Sequence, residues 1–221
     1  MIPVYINNRN LLTSTRAMVD YLMGVPEAAP LIVDNASTYP PLLEWYNDGC
    51  PVPVVRSDKN GGPRGWQQSV LREHPYYVVT DPDLDLSGVP ADVLDLLRGA
   101  LEAHPEIIKA GLSLETEGLP EDALAWSVER KYWASRYPSD ERFWQADIDT
   151  TFAMYRTDPV WAGQYGPSLR ADRPYTARHL PWYWTRENIG EEERFYLKHA
   201  TSGGCFYSPQ LRDILLPEAI E

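Results

Sequence analysis

The chain has 221 residues, with 32 Asp plus Glu against 20 Lys plus Arg and a formal net charge of −12. That length accommodates one large domain that needs no disulfide staples, and the acidic balance excludes a broad nucleic-acid footprint and disfavours docking on anionic lipid. Two distant cysteines, Cys50 and Cys205, make neither a disulfide framework nor a zinc site; no apolar run approaches the roughly 18 residues of a membrane span, and residues 1–6 are too short and uncharged for a leader, so a cytoplasmic protein with no integral membrane segment is expected.

Residues 3–7 form a short β-type run ending in Asn7-Asn8-Arg9-Asn10. From 11 to 24 the apolar positions 11, 12, 18, 19 and 22 fit a helix, with Asn10 or Thr13 as cap and Gly24 as stop. Leu31-Ile32-Val33 is the second strand, closed by Asp34-Asn35-Ala36-Ser37-Thr38. Residues 41–48 can form a proline-started helix, and 52–55 a third strand, followed by the polar loop 58–65. A third helix is expected over 66–74 and a fourth strand over 76–80. That strand stops abruptly at Asp81-Pro82-Asp83-Leu84-Asp85. Strand-then-helix alternation of this kind specifies an α/β fold with a mostly parallel central sheet flanked by helices. No G-x-G-x-x-G follows the first strand, so the usual dinucleotide fold is not expected.

Beyond this, residues 91–103 read as an amphipathic helix, 107–114 as a strand and 121–136 as a helix. The second half of 144–155 reads as a strand, and 190–200 as a helix with acids at its start and Lys198 near its end. Residues 156–189 lack periodicity and mix Pro, Gly, Arg and Trp, which predicts a long mobile loop. The expected layout is one domain over 1–221, with a nucleotide-sugar half to residue 115 and an acceptor-side half from 116.

Four motifs in order resemble those of the GT-A fold glycosyltransferases, in particular inverting family-2-like members. They are Val4-Tyr5-Ile6-Asn7-Asn8-Arg9, Ile32-Val33-Asp34-Asn35-Ala36-Ser37-Thr38, Asn60-Gly61-Gly62-Pro63-Arg64-Gly65 and Asp81-Pro82-Asp83, the last matching the family's Asp-x-Asp. The likeness is good over residues 3–115 and weaker beyond. It implies a single GT-A-type, Rossmann-like domain that moves a sugar from a nucleoside-diphosphate sugar, UDP-linked first, to a hydroxyl acceptor. On the same resemblance Asn7 and Arg9 would line the base pocket, Asp34 would contact uracil or ribose, Asp81 would approach ribose or metal, and Asp83 would coordinate Mn²⁺ or Mg²⁺. No Glu-Asp pair before a late helix stands out as the family's base.

The residues themselves support this chemistry and leave plainer readings open. Hard carboxylates suit Mg²⁺ and Mn²⁺, and a divalent ion would neutralise a departing diphosphate. Asp83 is the first ligand, with Asp85 as alternate or as a turn cap. Asp34 could equally be an Asx-turn residue. Lys59, Asn60 and Arg64 are placed for the diphosphate, or merely solvate their loop. Arg178 could pair with phosphate oxygens, and His179 could be a third metal ligand or a structural histidine; His199 is a weaker candidate. Trp182 and Trp184 could stack on a sugar or pack on the core. For a general base, Asp149 is the first candidate and Asp147 the second, with a structural role at a strand start as the plain alternative. Competing functions are a nucleotidyltransferase acting on a sugar phosphate and a catalytically silent nucleotide-binding domain.

Overall fold

In the computed structural model, residues 1–69, 73–119, 123–148, 151–157, 166–200 and 208–216 are described. The order of elements is β1 (Ile2–Asn8), α1 (Thr13–Met23), β2 (Ala28–Asp34), α2 (Pro40–Asp48), β3 (Val54–Arg56), a 3₁₀ segment Gly62–Ser69, β4 (Tyr76–Thr80), β5 (Leu84–Asp85), α3 (Val93–Ala103) and β6 (Lys109–Leu114). Then come α4 (Leu124–Glu129), β7 (Phe143–Gln145), β8 (Ala153–Arg156), β9 (Ser168–His179), a 3₁₀ turn Leu180–Tyr183, α5 (Glu191–His199) and α6 (Ser208–Leu215).

The strands form one sheet in the order β3-β2-β1-β4-β8-β6-β9-β5, with β7 against β9. β1, β2, β3 and β4 pair in parallel. The two longest ladders, β1 with β2 over seven residue pairs and β6 with β9 over six, are both parallel. β8 runs antiparallel between β4 and β6. Parallel strands are covered on both faces, and β1 shows it: all seven of its residues are buried. Val4 and Ile6 pack with Ile32 and Val78 and with Met18, Val19 and Leu22 of α1 and Leu94, Leu97 and Leu101 of α3. Tyr5 points to the other face, with Val33, Trp66, Tyr77, Val79 and Tyr155. Gly111 in β6 is dictated by close approach to β8. A Cβ there would lie 2.3 Å from Ile148 Cδ1 and 2.7 Å from the Phe152 carbonyl.

Three expectations are corrected, and one helix was not expected. The helix expected over 66–74 is a 3₁₀ segment over Gly62–Ser69, where the Trp66 indole donates back to the Pro63 carbonyl at 2.9 Å. The helix expected over 121–136 is short, Leu124–Glu129 followed by a 3₁₀ turn Arg130–Trp133. The supposed loop contains a 12-residue strand, β9, seated between β6 and β5. The tail carries a further helix, α6, which closes a small cluster of Ile189, Leu197, Leu215 and Leu216 against α5.

α5 is the element that joins the two halves. α1 has no side-chain cap of its own. Its first N–H groups are instead met by Glu192, 180 residues further on. The carboxylate accepts from Leu12 N at 2.8 Å, Thr13 N at 2.9 Å and Thr13 Oγ1 at 2.8 Å. An acid at a helix N-terminus satisfies otherwise orphaned donors and complements the dipole. Phe195, one turn on, packs against Tyr39 at the start of α2, ring centroids 5.0 Å apart.

Candidate active site

A parallel sheet opens a crevice where connections leave its strands in opposite directions. Here β1 leads through α1 to β2 on one side, while β4 lies on the other. The crevice therefore lies beyond Asn7 and Asn8 of β1, Thr80 at the end of β4 and Asp81 just after it.

The walls are built by side chains that bind loop to loop. Asn8 Nδ2 donates to the Leu11 carbonyl and to the Tyr46 hydroxyl. Asn10, held at φ 57°, accepts through Oδ1 from Thr38 N at 2.6 Å and Tyr39 N at 3.1 Å. Arg9 does the same from the other side, donating to the Asn35 carbonyl at 2.9 Å. Asn35 in turn accepts from Gly61 N at 2.6 Å and donates to the Gly62 carbonyl at 2.9 Å. A Cβ at Gly65 would sit 3.0 Å from Asn35 Oδ1, so glycine at position 65 lets the loop approach this asparagine closely. Asp34 has no exposed surface. Its Oδ1 accepts from Ser37 N at 3.0 Å, the Asx-turn arrangement. Burial, with the nearby Asp34 carboxylate, pushes the Tyr46 phenol far above its ordinary value. Asn7 is buried at 9% exposure with Oδ1 unpartnered. Lys59, Asn60 and Arg64 are exposed on the neighbouring loop.

The acids after β4 separate into different roles. Asp81 is half-buried. Asp83 is 7% exposed, and its Oδ1 has no hydrogen-bond partner. Its Oδ2 lies 3.4 Å from His179 Nε2. The sheet makes this pair: β5 runs antiparallel to the end of β9, with Leu84 opposite His179, and Leu180 N donates to the Asp83 carbonyl at 2.8 Å. Asp85 is exposed and accepts from Ser87 N at 2.9 Å, a turn contact. Arg178 alternates to the opposite side of β9 from His179. It lies 3.7 Å from Glu115 and over the Tyr183 ring. His199 is exposed on α5 and stacks on Phe195.

A cavity of about 330 Å³ adjoins Asp83. Its walls include Tyr21, Asp85, Trp184, Glu192 and Glu193. Tyr21 donates its hydroxyl to the Pro90 carbonyl, and burial pushes that phenol up to about 12. Glu193 uses one oxygen to accept from Gly190 N at 2.8 Å. Asp147 is exposed and does not line the cavity; its carbonyl accepts from Arg170. Asp149 lies outside the described residues. Glu192 and Glu193 were legible only as acids at a helix start; their place on the same cavity as Asp83 depends on how α5 docks.

No protein-family model and no curated protein matches the chain. Among solved structures, S. aureus TarS is similar over 97% of this chain, with a TM-score of 0.51 and 13% identity. The fold is of the GT-A type. The chain spans 42% of the TarS chain it matches. A structure of TarS 1-349 in complex with UDP-GlcNAc aligns with a TM-score of 0.48 and 14% identity, over 98% of this chain and 70% of that one. Glucosyl-3-phosphoglycerate synthase from Mycobacterium tuberculosis aligns with a TM-score of 0.45 and 14% identity, over 71% of this chain and 56% of that one. Among the described residues, no helix is long and apolar enough to cross a membrane.

Proposed function

We propose that the protein transfers a sugar from a nucleoside diphosphate, UDP first, to an acceptor hydroxyl with inversion at the anomeric carbon. The observation that carries this reading is Asp83. A carboxylate buried at the end of a strand, with one oxygen unpartnered, costs free energy unless a ligand completes it. A divalent cation would be such a ligand. Among the described residues no group of three acids, cysteines or histidines could hold a metal. A Mg²⁺ or Mn²⁺ ion at Asp83 would therefore need substrate phosphates and water to complete its shell. Asp83 would hold the ion and His179 would offer a neutral nitrogen beside it, with Asp81 toward the ribose. When bound, the ion would supply the positive charge that makes the diphosphate a leaving group.

The chain's own residues do the rest. Arg9, Asn10 and Asn35 fix the crevice that takes the nucleotide. Lys59 and Arg64 reach the diphosphate from their exposed loop. Glu193, which lines the same cavity as Asp83, takes the acceptor proton as the acceptor oxygen bonds to the anomeric carbon and the bond to the diphosphate breaks. Glu192 is poorly suited to that task, because its oxygens are engaged by α1. Asp149, the base expected from sequence, remains the competing assignment.

The test is a thermal-shift panel of UDP, GDP, CDP and dTDP sugars with and without Mn²⁺. Ligand binding to the folded state raises apparent stability. A rise for one nucleotide that needs the metal supports the reading, and a flat panel removes it.

A further inference from the structure

The cavity beside Asp83 has a chemistry that selects its occupant. Four carboxylates line it, those of Asp83, Asp85, Glu192 and Glu193. Among the described residues, no lysine, arginine or histidine does. The remaining wall is aromatic and aliphatic, with Tyr21, Trp184 and Met18 prominent. Asp83, 7% exposed, lines the cavity and has one carboxylate oxygen without a partner, and half-buried Ser14 of α1 lines it beside Ala17. An unsatisfied buried acceptor marks a place built for a ligand rather than a solvated acidic face. The volume lies at the low end of the roughly 300–1,000 Å³ usual for ligand sites, which suits one or two sugar-sized rings.

We infer that this cavity takes a small hydroxylated amine as acceptor, of the amino-sugar type, and rejects phosphorylated or sulfated sugars. The inference rests on the transferase reading and names its acceptor class. An ammonium group gains charge-assisted hydrogen bonds from carboxylates and a favourable approach to the Tyr21 and Trp184 ring faces. A phosphate meets like charge and no basic partner. Glu192 is compensated by the N-terminus of α1, and a metal on Asp83 would be compensated by the donor's diphosphate. Asp85 and Glu193 therefore leave the cavity negative with the donor bound. The overall charge of −12 steers cations in the same sense.

Saturation-transfer NMR with glucosamine, methyl α-glucoside and glucose 6-phosphate at matched ionic strength tests this. Glucosamine should bind about tenfold more tightly than the neutral glucoside, the difference between a charge-assisted and a neutral hydrogen bond. Glucose 6-phosphate should give no signal. The glucosamine signal should weaken at 0.5 M salt as charges are screened (Debye length about 3 to 8 Å). Ala17 lines the cavity from an exposed position on α1. Ala17→Trp fills the space and should abolish the signal; Ser14→Leu is a second, smaller filling if the first lowers the melting temperature. UDP binding with Mn²⁺, titrated in the same samples, reports separately on the donor reading. Equal binding of the three sugars, preference for the phosphate, no binding of glucosamine, or a signal indifferent to both fillings would overturn the inference whether or not UDP binds.

Discussion

Glu192 is the sharpest point at which the two halves of the chain can be separated. Replacing it with alanine removes the acceptor for Leu12 N, Thr13 N and Thr13 Oγ1, at 2.8, 2.9 and 2.8 Å. A hydrogen bond to a charged acceptor contributes about 1.5–3 kcal/mol, while a whole N-terminal cap contributes about 0.5–2 kcal/mol. These overlap, and freed N–H groups recover some water, so the expected cost is about 3 kcal/mol. For a chain of this size that lowers the melting temperature by about 6–12 °C. Glu192→Gln keeps an acceptor without the charge and should cost about 1 kcal/mol. Urea unfolding of both variants, and a double-mutant cycle with Thr13→Val, measures the coupling directly; neighbours that share a bond should couple by at least about 0.5 kcal/mol. A Glu192→Ala protein that melts within about 2 °C of wild type, with no coupling to Thr13, would refute the latch.

Further expectations concern catalysis, packing and pH. Glu193→Gln keeps the bond to Gly190 N but cannot take a proton; transfer should fall about 10²–10⁴-fold with donor affinity kept, whereas loss confined to Asp149→Asn would return the base to that residue. Gly111→Ala drives a methyl into Ile148 and the Phe152 carbonyl, 2.3 and 2.7 Å away, and should cost about 1–3 kcal/mol in urea unfolding; a neutral result would mean β6 and β8 are less closely spaced. Burial opposes ionisation of Asp172, yet the Arg173 N–H, the Trp144 indole and the Arg136 guanidinium hold its carboxyl below the ordinary 3.8. A depressed folded pKa means this stabilisation is present above pH 3.8 and lost as pH falls through the lower folded value. Acid titration followed by unfolding should therefore show a smaller loss in Asp172→Asn than in wild type, and equal losses would contradict it.

The first half of the sheet, β1 to β4, was legible because its physics is local. Ile32-Val33 and Val78-Val79 are continuous apolar runs, as doubly covered parallel strands require, and each ends in the polar residues that line the crevice. β9 was hidden for an equally local reason. Pro174 sits within it, and proline argues against a central strand. The structure accommodates it where the ladder skips: Leu112 pairs with Ala171, but Ser113 pairs with Thr176. With β9 in place His179 comes beside Asp83, while Arg178 turns the other way. Asp34 and Arg9 carry motif positions yet bind protein groups, because a loop that must hold a fixed shape uses its polar side chains internally first. The acids of α5 could not be placed from sequence at all, since their position follows from long-range docking on α1 and Tyr39.

In the proposed reaction Asp83 would hold the metal that activates a nucleotide-sugar donor. This is tested most directly by the rate of UDP release from a UDP-sugar, measured with Mn²⁺, with EDTA, and in a folded Asp83→Ala protein. Release with Mn²⁺ should fall to background in EDTA and in the variant, with the variant's melting temperature unchanged or raised because a buried carboxylate with one unpartnered oxygen has been removed. Release that persists at the wild-type rate in EDTA or in folded Asp83→Ala would contradict it.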